Sequence, residues 1–233
     1  MRHDIYRDYI YYMEISITII IIAITSVISF IAFTNHNLLD QLIFYPPAVG
    51  RGQIYRFFSC GLIHADWGHL IFNMIALYMF GEMVETKFVE VFGTVGKLVY
   101  LGMYILALAA SVIPTYINNR NNYHYRSLGA SGAVSAVIFS GIMFSPLTGI
   151  SFFFIPVFIA GFLFGILYLL VSGWLDKRGG GNINHSAHIF GALFGIGFTI
   201  IACQAFSDYP LLENFADQIR NMSAGDIFQM PGR

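Results

Sequence analysis

Charge is the scarcest property of this 233-residue chain. Only 11% of its residues are Asp, Glu, Lys or Arg, against roughly 25% in soluble domains. A single soluble core does not call for so few. The twelve Lys and Arg nearly balance thirteen Asp and Glu, leaving a net charge of -1. That balance argues against nucleic acid as a partner. Cysteine is also scarce. Cys60 and Cys203 both lie in apolar surroundings, which excludes a disulfide framework and makes both small core residues. No cleavable leader is expected either. The first apolar run, about Ile15 to Phe33, is too long for a signal h-region, lacks a convincing small-residue cleavage site and reads as the first membrane span.

What is present is apolar. Hydrophobic residues make up 57% of the chain and its mean hydropathy is +0.67. The 23 Phe and 14 Tyr suit lipid-facing and interfacial positions. Asp, Glu, Lys and Arg are absent from 15–39, 67–81, 98–119, 127–175 and 179–207. A spanning helix needs about 20 mostly apolar residues. The 127–175 gap is long enough for two spans and breaks at Ser145-Pro146-Leu147-Thr148-Gly149, a turn signal. The 67–81 gap lengthens if Glu82 faces protein or the interface. The expectation is an all-α membrane protein with six transmembrane helices at about 13–34, 67–86, 95–115, 128–145, 152–172 and 184–205.

This divides the chain into a short amino-terminal tail at 1–12, a six-helix domain at 13–205 and a carboxy-terminal tail at 206–233. The tail is read as either a short amphipathic surface helix or a weakly ordered segment. The first connection, 35–66, holds Leu38, Leu39, Leu42, Ile43, Phe44 and Tyr45 and should lie partly in the interface. The fifth holds Gly179-Gly180-Gly181 and should be mobile. Charge does not orient the bundle. Each face carries six Lys plus Arg, so the positive-inside rule gives no vote.

Six spans make the second, fourth and sixth helices enter from one face. Near their starts lie His69 and Asn73, then Ser131, then His188. At a rise of about 1.5 Å per residue, all four should sit at similar depth just beneath one surface. Polar side chains at membrane depth usually mark function, and serine with histidine is a nucleophile with its general base. Small residues allow the helices to meet. Gly129, Gly132 and Ala136 mark one face, and Gly191 with Gly195 forms a G-x-x-x-G beyond His188. His69 and Asn73, four residues apart on one helix face, can donate hydrogen bonds to an oxyanion. So can the Ser131 backbone N–H near a helix amino terminus. Each residue alone has a plainer reading. Ser131 would bond the carbonyl one turn back, His188 would bridge helices, and His69 with Asn73 would tie helices together.

The set resembles the rhomboid intramembrane serine proteases. The resemblance runs from about Tyr55 to Gly195 and rests on Tyr55-Arg56, on His64 with His69 and Asn73, and on Gly81 with Glu85. It continues with Gly129-Ala130-Ser131-Gly132 and with Ala187-His188 followed by Gly191 and Gly195. It implies a Ser131–His188 dyad without an acidic third member, an oxyanion hole drawing on His69 and Asn73, and Arg56 anchoring the first loop. Glu85, Gly129, Gly132, Gly191 and Gly195 are structural supports. It also implies an active site open to the extracytoplasmic side, and a fifth helix and glycine-rich loop acting as gate and cap. That helix is rich in phenylalanine: Phe152, Phe153, Phe154, Phe158, Phe162 and Phe164. Two positions depart from the family pattern. Many members carry an aromatic residue four places after the serine, packing on the catalytic histidine, where this chain has Ser135. Many also carry Trp-Arg in place of Tyr55-Arg56.

The implied function is an intramembrane serine endopeptidase that cuts transmembrane segments of other membrane proteins near the extracytoplasmic surface. The alternatives are a non-catalytic rhomboid-like client-binding protein and, further off, a membrane transporter. The expected location is multi-pass in a membrane, in the first instance a bacterial plasma (inner) membrane, with an organellar one open. The expected partners are membrane-protein substrates and the lipid bilayer. No cofactor is expected. His64, His69, His185 and His188 raise a metal site, but no Cys or acidic ligand joins them, so none is expected.

Overall fold

The computed structural model describes residues 16–151, 158–178 and 183–229. Among the described residues the fold is all-α apart from three very short strands. Six long helices carry it: α1 Ile17–Thr34, α2 Trp67–Phe92, α3 Gly96–Asn119, α4 Ser131–Phe144, α5 Gly161–Arg178 and α6 His185–Phe206. Among the described residues, three segments have the length and hydropathy of a membrane span: Ile17–Thr34, the Trp67–Asn119 stretch holding α2 and α3, and His185–Phe206. α4 is apolar but only 14 residues long. α5 carries Asp176, Lys177 and Arg178 at its end.

α1 buries the reverse of what a soluble helix buries. Its inward stripe is Thr18, Ile21, Thr25, Ser29 and Ala32, while Ile19, Ile20, Ile24, Val27 and Phe30 are exposed. Lipid is as apolar as isoleucine, so small and polar residues drive helices together instead. The Thr18 hydroxyl donates to Tyr100 Oη on α3 at 2.9 Å. Gly81 of α2 leaves room for that crossing, since a Cβ there would meet Thr18 and Tyr100. α2 starts at the Asp66 N-cap, whose carboxylate accepts from His69 N–H at 2.8 Å. It ends at Gly93, with φ +61°, and a 3-10 turn over Gly93–Val95 returns the chain as α3.

The first connection is built of short helices, His36–Leu42, Pro46–Val49 and Arg56–Ser59, and a 3-10 turn over Cys60–Leu62. It is tied to the loop before α4 by Phe44–Ser127 backbone bonds of 2.9 and 3.1 Å, and by Gly129 N–H donating to the Cys60 carbonyl at 2.9 Å. α4 sits at the centre, with twelve of its residues buried. Its most extensive neighbour is α6. There the Ser140 and Thr199 hydroxyls hydrogen-bond at 2.7 Å.

Helix boundaries differ from the expected ones by three residues or more in five places; two are late ends, α3 at Asn119 rather than 115 and α5 at Arg178 rather than 172. α4 begins at Ser131 rather than 128, because Gly129 adopts φ +114°, which no right-handed helix contains. α2 runs on to Phe92, six residues past the expected end. The fifth helix, expected at 152–172, begins only at Gly161. Pro156 removes a backbone donor from any helix begun at 152. Ahead of α5, β2 Phe158–Ala160 pairs antiparallel with β1 Gly149–Ile150, and its other edge pairs with β3 Phe228–Gln229. Phe152, Phe153, Phe154, the Gly179–Gly181 loop, residues 1–12 and the expected start of the first span lie outside the described residues.

The tail beyond α6 folds back. α7 Leu211–Arg220 buries Leu211, and Gln218 Nε2 donates to the Phe144 carbonyl at the end of α4, at 3.2 Å.

Candidate active site

Ser131 is the first residue of α4 and His188 the fourth of α6. The His188 Nε2 and Ser131 Oγ atoms lie 2.8 Å apart. With the proton on Nδ1, Nε2 accepts the serine proton. Both side chains are half-buried. The contact depends on close backbones. A Cβ at Gly191 would collide with the Gly132 carbonyl, and one at Gly195 with the Ala136 carbonyl. A Cβ at Gly132 would meet Ser111 and the Ala187 carbonyl. The N-cap of α6 is Asn184, whose Oδ1 accepts from Ala187 N–H at 3.1 Å. This fixes the first turn that carries His188.

The first-turn N–H groups of α4 have no intrahelical acceptor. Ser131 is the first residue of that turn. His69 flanks the same loop. Its ring occupies the space where a Gly129 side chain would stand, with His69 Cε1 2.6 Å from an ideal Cβ. Asn73 is buried, and its Nδ2 donates to the His69 carbonyl at 3.0 Å. That amide group carries two hydrogens, so one bond does not exhaust it.

His64 holds the loop before α4 from beneath. Ala130 N–H donates to its Nε2 at 3.4 Å, which puts the ring proton on Nδ1. That N–H donates to Ser29 Oγ on α1 at 3.0 Å, and Ser29 donates to the Leu62 carbonyl at 3.0 Å. Burial above all, with a smaller push from His69, pulls the His64 imidazole down to about 3, Asp66 opposing. A neutral ring is what this relay requires. His185 packs edge-on to His188 with centroids 5.9 Å apart; the histidine bonded to Ser131 is His188.

Arg56 and Glu85 make their hydrogen bonds elsewhere. Arg56 is buried and binds the first connection together. Its Nη1 donates to the Asp40 and Ile43 carbonyls at 2.9 and 2.6 Å, and its Nε to Gln53 Oε1 at 2.6 Å. The Glu85 carboxylate accepts from Ser16 Oγ at 2.7 Å and from the Ile17 and Thr18 N–H groups at 2.9 Å each. It thus satisfies the amino end of α1, where negative charge is favoured.

One residue at the site is not singled out by sequence. Tyr168 of α5 lays its ring near-parallel to His188, with centroids 6.2 Å apart and planes at 23°. Its hydroxyl is 2.7 Å from Ser135 Oγ. Ser135 in turn donates to the Ser131 carbonyl at 2.9 Å. The only hint in the sequence is the serine where an aromatic residue was expected, which leaves His188 in want of a partner.

Chemically, this is a hydroxyl in contact with a base, where two apolar helices begin. Such a group can open an acyl bond through a covalent intermediate.

Comparison with known proteins agrees in kind. A family model described as the Rhomboid domain matches residues 51–205. The chain is 32% identical over 169 residues to RHOMBOID-like protein 12, mitochondrial, of Arabidopsis thaliana, covering 69% of this chain and 50% of that protein. It is 26% identical to the putative rhomboid protease YdcA of Bacillus subtilis, over 75% of this chain and 82% of the relative. It is 27% identical to the rhomboid protease GlpG of Haemophilus influenzae, over 66% and 73%. The chain thus spans only half the length of the Arabidopsis relative.

Proposed function

This chain belongs to the rhomboid family, and from that membership we propose that it is an intramembrane serine endopeptidase with Ser131 as nucleophile and His188 as general base. The observation that carries the proposal is the 2.8 Å contact between Ser131 Oγ and His188 Nε2, made where two apolar helices begin.

In this reading all six long helices cross the membrane, within a protease domain of residues 13–205 flanked by tails at 1–12 and 206–233. Fourteen residues of α4 rise only about 21 Å, short of the roughly 30 Å hydrocarbon core. A helix that short cannot reach both surfaces; in this reading its amino end is the one that stops short, which puts Ser131 beneath the surface. Water reaches it from the extracytoplasmic face. The membrane is a bacterial plasma membrane.

The substrate is a transmembrane segment of another membrane protein. Its amides are hidden in helical hydrogen bonds, so it must unwind locally, most readily near Gly or Pro. Ser131 Oγ attacks the exposed carbonyl carbon as His188 Nε2 takes the serine proton. The oxyanion is met by the Ser131 N–H, with His69 and Asn73 as further donors. His188 then hands the proton to the leaving amine nitrogen, the C–N bond breaks and an acyl-enzyme remains. Water attacks the ester, losing its proton to His188. The carboxyl product departs and the proton returns to Ser131.

The test is cleavage of a transmembrane reporter by purified protein beside its Ser131→Ala form. Cleavage by wild type alone is expected. Equal cleavage by both would remove Ser131 from the mechanism. Labelling by a serine-directed fluorophosphonate adds a second readout, because a client-binding relative or a transporter would not react.

A further inference from the structure

We propose that Tyr168, supplied by α5, is the positioning residue that aims the His188 imidazole at Ser131. This rests on the protease reading above and names a residue that reading does not require.

A histidine without an acidic partner is free to turn about its side-chain bonds. Nε2 must nevertheless point at the serine, and a rate scales with the fraction of time it does. The Tyr168 ring covers one face of His188 in an offset stack, with centroids 6.2 Å apart and planes at 23°, within the range such pairs prefer. The tyrosine itself is held at both ends. Its ring lies against Phe139 of α4 at 5.6 Å and Phe164 of α5 at 6.0 Å. Its phenol donates to Ser135 Oγ at 2.7 Å, whose own proton goes to the Ser131 carbonyl.

One side chain therefore touches both halves of the dyad: His188 through its face, and the Ser131 backbone through Ser135. Ser135 is 3% exposed and four residues beyond Ser131, so its side chain rises on the same face of α4. An aromatic residue there would compete with Tyr168 for the space beside His188. A serine clears that space and provides an acceptor for the phenol.

The stack contributes most when His188 is positive, because a cation over an aromatic face gains attraction that a neutral ring does not. His188 gains its charge only as the serine gives up its proton. The contact is thus stronger in the transition state than in the ground state, and its loss lowers kcat rather than raising KM. Because Tyr168 rides on α5, His188 is aimed only while α5 is seated against α4.

The experiment compares wild type, Tyr168→Leu, Tyr168→Phe and the double variant Ser135→Tyr/Tyr168→Ala on one transmembrane reporter in micelles, with thermal stability measured in parallel. Tyr168→Leu keeps an apolar side chain but no ring. It should lower kcat by up to about tenfold, the rate equivalent of one aromatic stack, with KM within about twofold. Tyr168→Phe keeps the face and should recover most of the rate. The double variant moves the ring to α4 and should exceed Tyr168→Leu. A wild-type kcat in Tyr168→Leu, or a fall in thermal stability with kcat unmoved, overturns the inference while leaving the protease reading intact. A wild type that neither cleaves nor labels overturns that reading, and this inference with it.

Discussion

A methyl group at position 191 would run into the Gly132 carbonyl, one residue beyond Ser131, and one at 195 into the Ala136 carbonyl. Neither obstacle can swing away, since both belong to helix backbone. The helices must separate instead, and overpacking of this kind costs about 1–3 kcal/mol. Gly191→Ala and Gly195→Ala should therefore both lower the melting temperature. Their rates should diverge: position 191 is one turn from His188 and position 195 two, so Gly191→Ala should lose far more kcat for the same loss of stability. Equal rate losses would mean that the seam holds the fold without setting the Ser131–His188 distance. These residues were legible in sequence because each motif is local: a glycine pair three and seven residues past a histidine reads the same in any fold. Tyr168 was not legible. It is 20 residues before His188 and 33 beyond Ser135, and what brings them together is the path α5 takes, which no spacing records.

α1 is held at its amino end. The amino terminus of α1 rests on the Glu85 carboxylate of α2, which takes three hydrogen bonds from Ser16, Ile17 and Thr18. Glu85→Ala would strand those donors in buried surroundings, at about 1–3 kcal/mol for unsatisfied groups. The expected result is a lower melting temperature, with faster amide hydrogen exchange confined to the first turn of α1 and to its contacts. Exchange that rises equally across α4 and α6 would contradict a local role. The order of the long helices could be read from gaps between charges, because hydrocarbon excludes Asp, Glu, Lys and Arg so strongly. Several of their ends could not, although both ends of α6 fall within one residue of expectation. The Gly129 conformation sets the start of α4, and the start of α5 is displaced by the β1–β2 pairing. That pairing extends to β3, some 70 residues further on. Runs of two or three residues carry no periodicity, so the sheet leaves no trace in the sequence.

At the scale of the whole molecule, α1 is clasped twice, by Glu85 at its amino end and by the His64 relay near its carboxyl end. The relay joins four parts of the chain: Ser29 of α1, the Leu62 carbonyl of the first connection, His64 before α2, and the Ala130 amide that leads into α4. It works only with a neutral ring, since Nε2 must accept from Ala130. Burial holds the folded His64 near 3, while an unfolded histidine titrates near 6.5. Between those values the unfolded chain binds one proton more than the folded one, so stability rises with pH. It is fully present above about 6.5 and is lost as the pH falls through that window. One proton accounts for a slope of at most about 1.4 kcal/mol per pH unit. Melting temperatures measured in one detergent from pH 7 to pH 5 should fall in wild type. In His64→Gln, already less stable at pH 7, they should fall less steeply. Parallel slopes in the two proteins would show that acid acts elsewhere and that the relay does not tie α1 to the loop that leads into α4.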